Sequence, residues 1–182
     1  PRSERRRIVA ELQLQEFPVL QIPSFDDLTS GQAQIDALRP VAIEDLLGRD
    51  PVPPVRELLG PGLRDSVVCV TGAGGSIGSE LCRQILQLAP QELILLERSE
   101  PSLYALDQEL RHQLPTSVKL LPVLGSATDS ALVQRLFAGH GVQTVFHAAA
   151  YKHVPLVEVN PLAGLANNVG STRVVCQAAM AA

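Results

Sequence analysis

The chain has 182 residues, 46% hydrophobic and 19% charged, a balance that predicts a soluble protein with one main core and an appended piece. Its net charge is −4, and its one basic cluster, Arg5-Arg6-Arg7, reads as a solvated helix face, which excludes the electrostatic footprint of a nucleic-acid binder. No apolar run is long enough to cross a bilayer and no signal peptide opens the chain, while Cys69, Cys82 and Cys176 read as reduced, buried cytoplasmic thiols rather than metal ligands or disulfides.

In chain order, residues 3–15 read as a short helix, residues 18–23 as a strand and residues 24–31 as a polar turn, with room for one or two short strands over residues 32–43. This is too little to fold alone. Pro51, Pro53 and Pro54 then mark a linker before a helical segment at residues 55–59, and the main domain is expected from Arg64. The chain opens at Pro1 and ends at Ala182 inside helical sequence, as a piece cut from a longer protein would.

From residue 67 the pattern changes. Val67-Val68-Cys69-Val70 is a continuous, β-branched apolar run, as in a parallel strand covered on both faces. Ile77, Leu81, Ile85 and Leu88 follow at helical spacing, with Glu80, Arg83, Gln84 and Gln87 opposite, which predicts an amphipathic helix. Strands are then expected at residues 93–96, 118–124 and 142–146, helices at 102–113 and 130–138, and helix from the last strand to the end. Such alternation predicts an α/β fold with a parallel sheet and right-handed crossovers.

Between the first strand and helix lies Thr71-Gly72-Ala73-Gly74-Gly75-Ser76-Ile77-Gly78. Gly72 suits a tight turn, Gly75 lets backbone approach a pyrophosphate, and Gly78 lets the helix pack close to its strand. The amides at the helix start, including those of Ser76 and Ile77, then face the phosphates with partial positive charge. A nucleoside-triphosphatase loop would end in Gly-Lys-Ser/Thr, whereas this one reads Gly78-Ser79-Glu80. The loop therefore points to a nicotinamide dinucleotide.

Glu97 ends the second strand nineteen residues after Gly78, where a carboxylate accepts the adenosine ribose hydroxyls, favouring NAD. Arg98 follows and could stack on adenine or pair with a 2′-phosphate, which leaves NADP open. After the third strand, Gly125-Ser126-Ala127-Thr128-Asp129 stands where such folds border the adenine; Ser126 and Ala127 are candidate contacts, and Asp129 reads as a helix cap.

The loop's Thr-Gly-x-x-Gly-x-x-Gly spacing resembles the short-chain dehydrogenase/reductase superfamily. Phe146-His147-Ala148-Ala149-Ala150-Tyr151-Lys152-His153-Val154-Pro155, with Glu158, Asn160-Pro161 and Asn167-Asn168-Val169, resembles the polysaccharide-biosynthesis branch of nucleotide-sugar 4,6-dehydratases, including UDP-N-acetylglucosamine 4,6-dehydratases. Ile43-Glu44-Asp45-Leu46-Leu47-Gly48-Arg49-Asp50-Pro51-Val52 resembles the linker of the long, membrane-anchored members.

The resemblance implies a Rossmann-type sheet of order 3-2-1-4, truncated, with Ala148, Ala149 and Ala150 beside the nicotinamide ribose. It also implies that residues 1–50 are the tail of a preceding Rossmann-like module, that 51–63 form a linker and short helix, and that 64–182 form a C-terminally incomplete NAD(P)-binding domain. The parent would be anchored in the inner membrane, with this portion on the cytoplasmic side. Its chemistry would remove hydride from sugar C4, expel water across C5 and C6, and return hydride to C6, in surface polysaccharide synthesis; an epimerase is the near variant.

The family's Ser/Thr-Asp-Lys and Tyr/Met-x-x-x-Lys segments, which carry the catalytic base, do not occur in this chain. Tyr151 with Lys152 has the wrong spacing, so no catalytic residue is assigned and the chain alone is expected to be inactive.

Lys152 and His153, at the carboxyl edge of the sheet, could meet substrate phosphates, and Asn168 could order a backbone group or water nearby; each also has an ordinary structural reading. His147 is expected to be a hydrogen-bonded core histidine, and His112 and His140 surface residues. An open edge on the fourth strand and uncovered apolar residues on the last helix predict self-association, with a homo-oligomer as one form. A non-catalytic dinucleotide-sensing Rossmann module is the alternative from another functional class.

Overall fold

The computed structural model describes residues 62–182 and, ahead of them, residues 7–9, 11, 12, 15, 17, 19–21, 39 and 40. The chain divides into two units, Pro1–Pro54 and Val55–Ala182. In the first, residues 7–9, 11 and 12 are helical, and β1 (Leu20–Gln21) pairs antiparallel with β2 (Arg39–Pro40). The linker helix expected at residues 55–59 and the boundary at residue 50 lie outside the described residues.

The second unit alternates strand and helix: β3 (Val67–Thr71), α1 (Ser76–Gln87), β4 (Glu92–Glu97), α2 (Glu100–His112), β5 (Lys119–Leu124), α3 (Ser130–His140), β6 (Thr144–His147), α4 (Val154–Val159) and α5 (Pro161–Ala181). Its strands pair in parallel in the order β5-β4-β3-β6. Counted within the unit this is 3-2-1-4, the Rossmann-type order that the sequence led us to expect.

Every residue of β3 and β4 is buried because helices cover both sheet faces. Side chains alternate along a strand. Val68, Val70, Leu93 and Leu95 therefore join Cys82, Ile85, Leu103 and Leu106 of α1 and α2 on one face, while Cys69, Ile94 and Leu96 join Val133, Phe137, Val174 and Val175 of α3 and α5 on the other. Each of these buried aliphatic side chains contributes about 2 kcal/mol of transfer free energy, and together they hold the carboxyl ends of β3, β4 and β6 in a fixed array.

Arg83 joins α1 to α2 by donating to Glu109 through Nε (2.6 Å) and Nη2 (3.0 Å). Asp129 caps α3, its carboxylate accepting from the Leu132 amide at 3.0 Å, and Gly141 closes that helix at φ +63°, a conformation open to glycine. Gln143 then clips to Val67: its amide donates to the Val67 carbonyl and its side-chain oxygen accepts the Val67 amide, both at 3.0 Å. The ladder consequently starts at Thr144, two residues later than the sequence suggested.

Three expectations need correction. Ile77 does not belong to the buried stripe of α1; it is 70% exposed, and Gly78 with Cys82 fills that position. Cys176 is exposed, whereas Cys69 and Cys82 are buried, their thiols pushed up to about 12 by burial. His140 is not merely a surface residue, since its Nδ1 lies 3.2 Å from the buried Glu92 carboxylate, which Lys119 also approaches. On α4 and α5, Val154, Leu156, Val159, Leu162, Leu165, Val169 and Met180 are exposed.

Candidate dinucleotide cleft

Where β3 ends, the chain turns through Gly72 at φ +66°. A Cβ there would lie 2.7 Å from the Ala149 backbone, so the site excludes side chains by conformation and by space. That closeness arises because the Ala148 amide donates to the Thr71 carbonyl at 3.0 Å, carrying the β6 chain past the turn. A Cβ on Gly78 would collide with the Gly72 carbonyl, so α1 seats directly on the turn that precedes it. Gly75 opens the helix, accepting the Ser79 amide at 2.8 Å. Gly75, Ser76 and Ile77 are exposed, and first-turn amides have no acceptor within their own helix.

In front of this turn lies a cleft of about 270 Å³. It gathers nine residues singled out from sequence: Gly72, Gly75, Glu97, Arg98, Ser126, Ala127, Ala148, Ala149 and Ala150. Ser76, Ile77 and Gly78 stand at the helix start beside it without lining it. Lys152 and His153 are exposed and line an adjoining cavity of about 390 Å³, which shares Ala150 and Tyr151 with the cleft. Asn168 lines neither; its amide clips the Tyr151 backbone, accepting from Tyr151 N at 2.8 Å and donating to Tyr151 O at 3.0 Å.

Glu97 is buried, and its carboxylate accepts three backbone amides: Gly74 at 3.1 Å through Oε2, and Arg98 and Ser99, each at 2.8 Å, through Oε1. Oε2, with a single donor, keeps an accepting lone pair for a ligand hydroxyl. Gly74 makes this possible, since a Cβ there would fall 2.6 Å from Ser102 Cβ. Arg98 reaches across to Tyr151, donating to the phenol oxygen at 2.5 Å with its guanidinium 5.0 Å from the ring centroid. Ser126 accepts the Thr128 amide at 3.2 Å, holding the loop after β5 in a turn.

Sequence reasoning missed Gly74, Ser99, Ser102 and Ser171 as cleft residues. The signal for Gly74 was present, as an extra glycine inside the spaced triplet. It set Tyr151 aside as a catalytic residue and gave Asn167 no site role, yet both line the cleft.

His147 takes the structural place expected of it. Its Nδ1 lies 2.7 Å from Thr71 Oγ1 and its Nε2 3.2 Å from Thr172 Oγ1, tying β3, β6 and α5 together beneath the cleft. Burial holds its pKa below the ordinary value. Among the described residues, no group of three or more His, Cys, Asp or Glu side chains is placed to hold a metal ion, and no helix is long and apolar enough to cross a membrane.

The family model described as "Polysaccharide biosynthesis protein" matches residues 68–182. The chain belongs to this family. It is 38% identical over 161 residues to the capsular polysaccharide biosynthesis protein CapD of Staphylococcus aureus, covering 88% of this chain and 27% of that protein. It is likewise 38% identical to the probable polysaccharide biosynthesis protein EpsC of Bacillus subtilis, covering 87% and 26%. The chain thus spans about a quarter of the length of these relatives. Among solved structures, the UDP-glucose 4-epimerase of Bifidobacterium longum in complex with NAD+ and UDP superimposes with a TM-score of 0.53 at 26% identity, covering 62% of this chain and 33% of that one.

Two predictions follow from the geometry. Gly72→Ala and Gly78→Ala should each lower stability by roughly 2 kcal/mol or more, whereas Gly75→Ala, at the N-cap of α1 and with a Cβ that would meet only the Gly72 carbonyl at 3.3 Å, should lower it less, by about 1 kcal/mol as read from urea midpoints. The second concerns His147. Because the folded chain disfavours imidazolium, the unfolded chain binds that proton first, so stability should fall as pH drops from the ordinary value of 6.5 through the lower folded value and then level off. Urea midpoints measured from pH 7.5 to 5 (roughly one unit above the ordinary histidine value and one and a half below it) should show this slope, and His147→Asn should flatten it.

Proposed function

We propose that the chain is the dinucleotide-binding portion of a nucleotide-sugar 4,6-dehydratase or epimerase of surface polysaccharide synthesis. Its parent would act on a substrate like UDP-N-acetylglucosamine, with NAD preferred over NADP. The observation that carries this reading is the junction of a glycine turn closed to side chains with a carboxylate held on three backbone amides. The names of the CapD and EpsC relatives and the NAD+ and UDP of the epimerase complex support it.

In this reading the first-turn amides of α1 and the bare backbone at Gly72 and Gly75 hold the pyrophosphate. The open lone pair of Glu97 accepts a ribose hydroxyl, and Ser126 and Ala127 border the adenine. The small side chains of Ala148, Ala149 and Ala150 leave room for the nicotinamide ribose. Lys152 and His153 meet substrate phosphates in the adjoining cavity, while Asn168 shapes the wall between the two spaces through the Tyr151 backbone. A bound nicotinamide supplies the hydride acceptor and donor. Because the Ser/Thr-Asp-Lys and Tyr/Met-x-x-x-Lys segments are not in this chain, the base lies elsewhere in the parent and the chain alone binds without turnover. Residues 1–50 are read as the tail of a preceding module, and the parent as membrane-anchored with this part on the cytoplasmic side.

Calorimetric titration with NAD tests the reading. Saturable binding is expected, weakened about tenfold by Glu97→Gln, the order of one hydrogen bond to a charged acceptor. A chain that takes up no NAD, or whose affinity ignores Glu97, contradicts it. Incubation with NAD and UDP-N-acetylglucosamine should yield no dehydrated sugar by mass spectrometry.

A further inference from the structure

The Arg98–Tyr151 bridge joins the residue after β4 to the segment after β6, the two strands that flank β3 and its glycine turn. Both side chains line the cleft, and Arg98 is the one cationic side chain to do so among the described residues. No carboxylate lies within ion-pair distance of it among those residues. The neighbouring Glu97 carboxylate is turned to backbone amides instead.

The two ends of the bridge differ in freedom. Tyr151 projects from a backbone held on both sides by Asn168, which in turn accepts from Asn167 at 2.9 Å. Arg98 is exposed, on a long stem with many rotamers. The phenol is therefore the fixed post, and the guanidinium is the part that it holds.

We propose that Tyr151 sets the cofactor preference of the cleft: by engaging Arg98 through its hydroxyl and ring, it withholds from a 2′-phosphate the cation that would offset Glu97, so that NAD is taken over NADP. The inference rests on reading the cleft as a dinucleotide site. A phosphate beside Glu97 needs a cation to overcome like-charge repulsion, and Arg98 is the residue adjacent in sequence that can supply a bidentate partner. Its capture by a neutral phenol leaves the charge unspent but on the other side of the cleft.

Titration of the chain with NAD and NADP, for the unsubstituted protein and for Tyr151→Phe, Tyr151→Leu and Tyr151→Leu/Arg98→Gln, tests this. Tyr151→Phe should raise the NADP-to-NAD affinity ratio roughly tenfold, as for loss of one hydrogen bond to a charged group. Tyr151→Leu, which also removes the ring, should raise it further. Adding Arg98→Gln should cancel the gain. An unchanged ratio in both Tyr151 variants, or a gain that persists without Arg98, overturns the proposal while leaving the dinucleotide site standing. Failure of the unsubstituted chain to bind either cofactor overturns the site reading and this inference with it.

Discussion

The contact on which the rest depends is that of two backbones with no side chain between them. Gly72 turns through a left-handed conformation against the Ala149 backbone, and Gly78 brings α1 down onto the Gly72 carbonyl. A larger residue at either point would push the helix from its strand or β6 from β3. With both glycines in place, the first turn of α1 opens onto a cleft whose far walls are the ends of β4, β5 and β6.

The same closeness explains what surrounds it. His147, at the end of β6, binds Thr71 at the end of β3, locking the two strands whose following loops form one wall. Glu97 is drawn inward by three amides, one of them from the glycine loop itself, so the carboxylate that would meet a ribose is positioned by the loop that would meet the phosphates. Asn168 then fixes the Tyr151 backbone at the boundary between the cleft and the adjoining cavity, and Tyr151 in turn holds Arg98.

Much of this was legible in the sequence because it is local. The apolar run at Val67–Val70, the glycine spacing and the acidic end of the second strand each follow from period, turn chemistry and burial, and they led to the parallel α/β alternation and to Gly72, Gly75, Glu97, Arg98, Ser126 and Ala127 in the cleft, while the sheet order and Ala148, Ala149 and Ala150 came from the family resemblance. What escaped is non-local or depends on helix phase. The Arg98–Tyr151 bridge joins residues 53 apart, and no single-sequence pattern pairs them. Ile77 fits an apolar stripe by spacing, but once Gly78 faces the turn, its neighbour about 100° round the helix must face out. Cys176 failed similarly: α5 buries Val174, Val175 and Ala178, and an apolar helix gives little indication of which of its faces will be covered.

Backbone amide chemical shifts, followed while NAD is added to the isotopically labelled chain, test whether the glycine turn and the start of α1 form a dinucleotide cradle. The amides of Gly74, Gly75, Ser76, Ile77 and Gly78 should move together and saturate with those of Arg98 and Ser99. Saturable shifts confined to other parts of the chain, with the glycine loop unmoved, would contradict it.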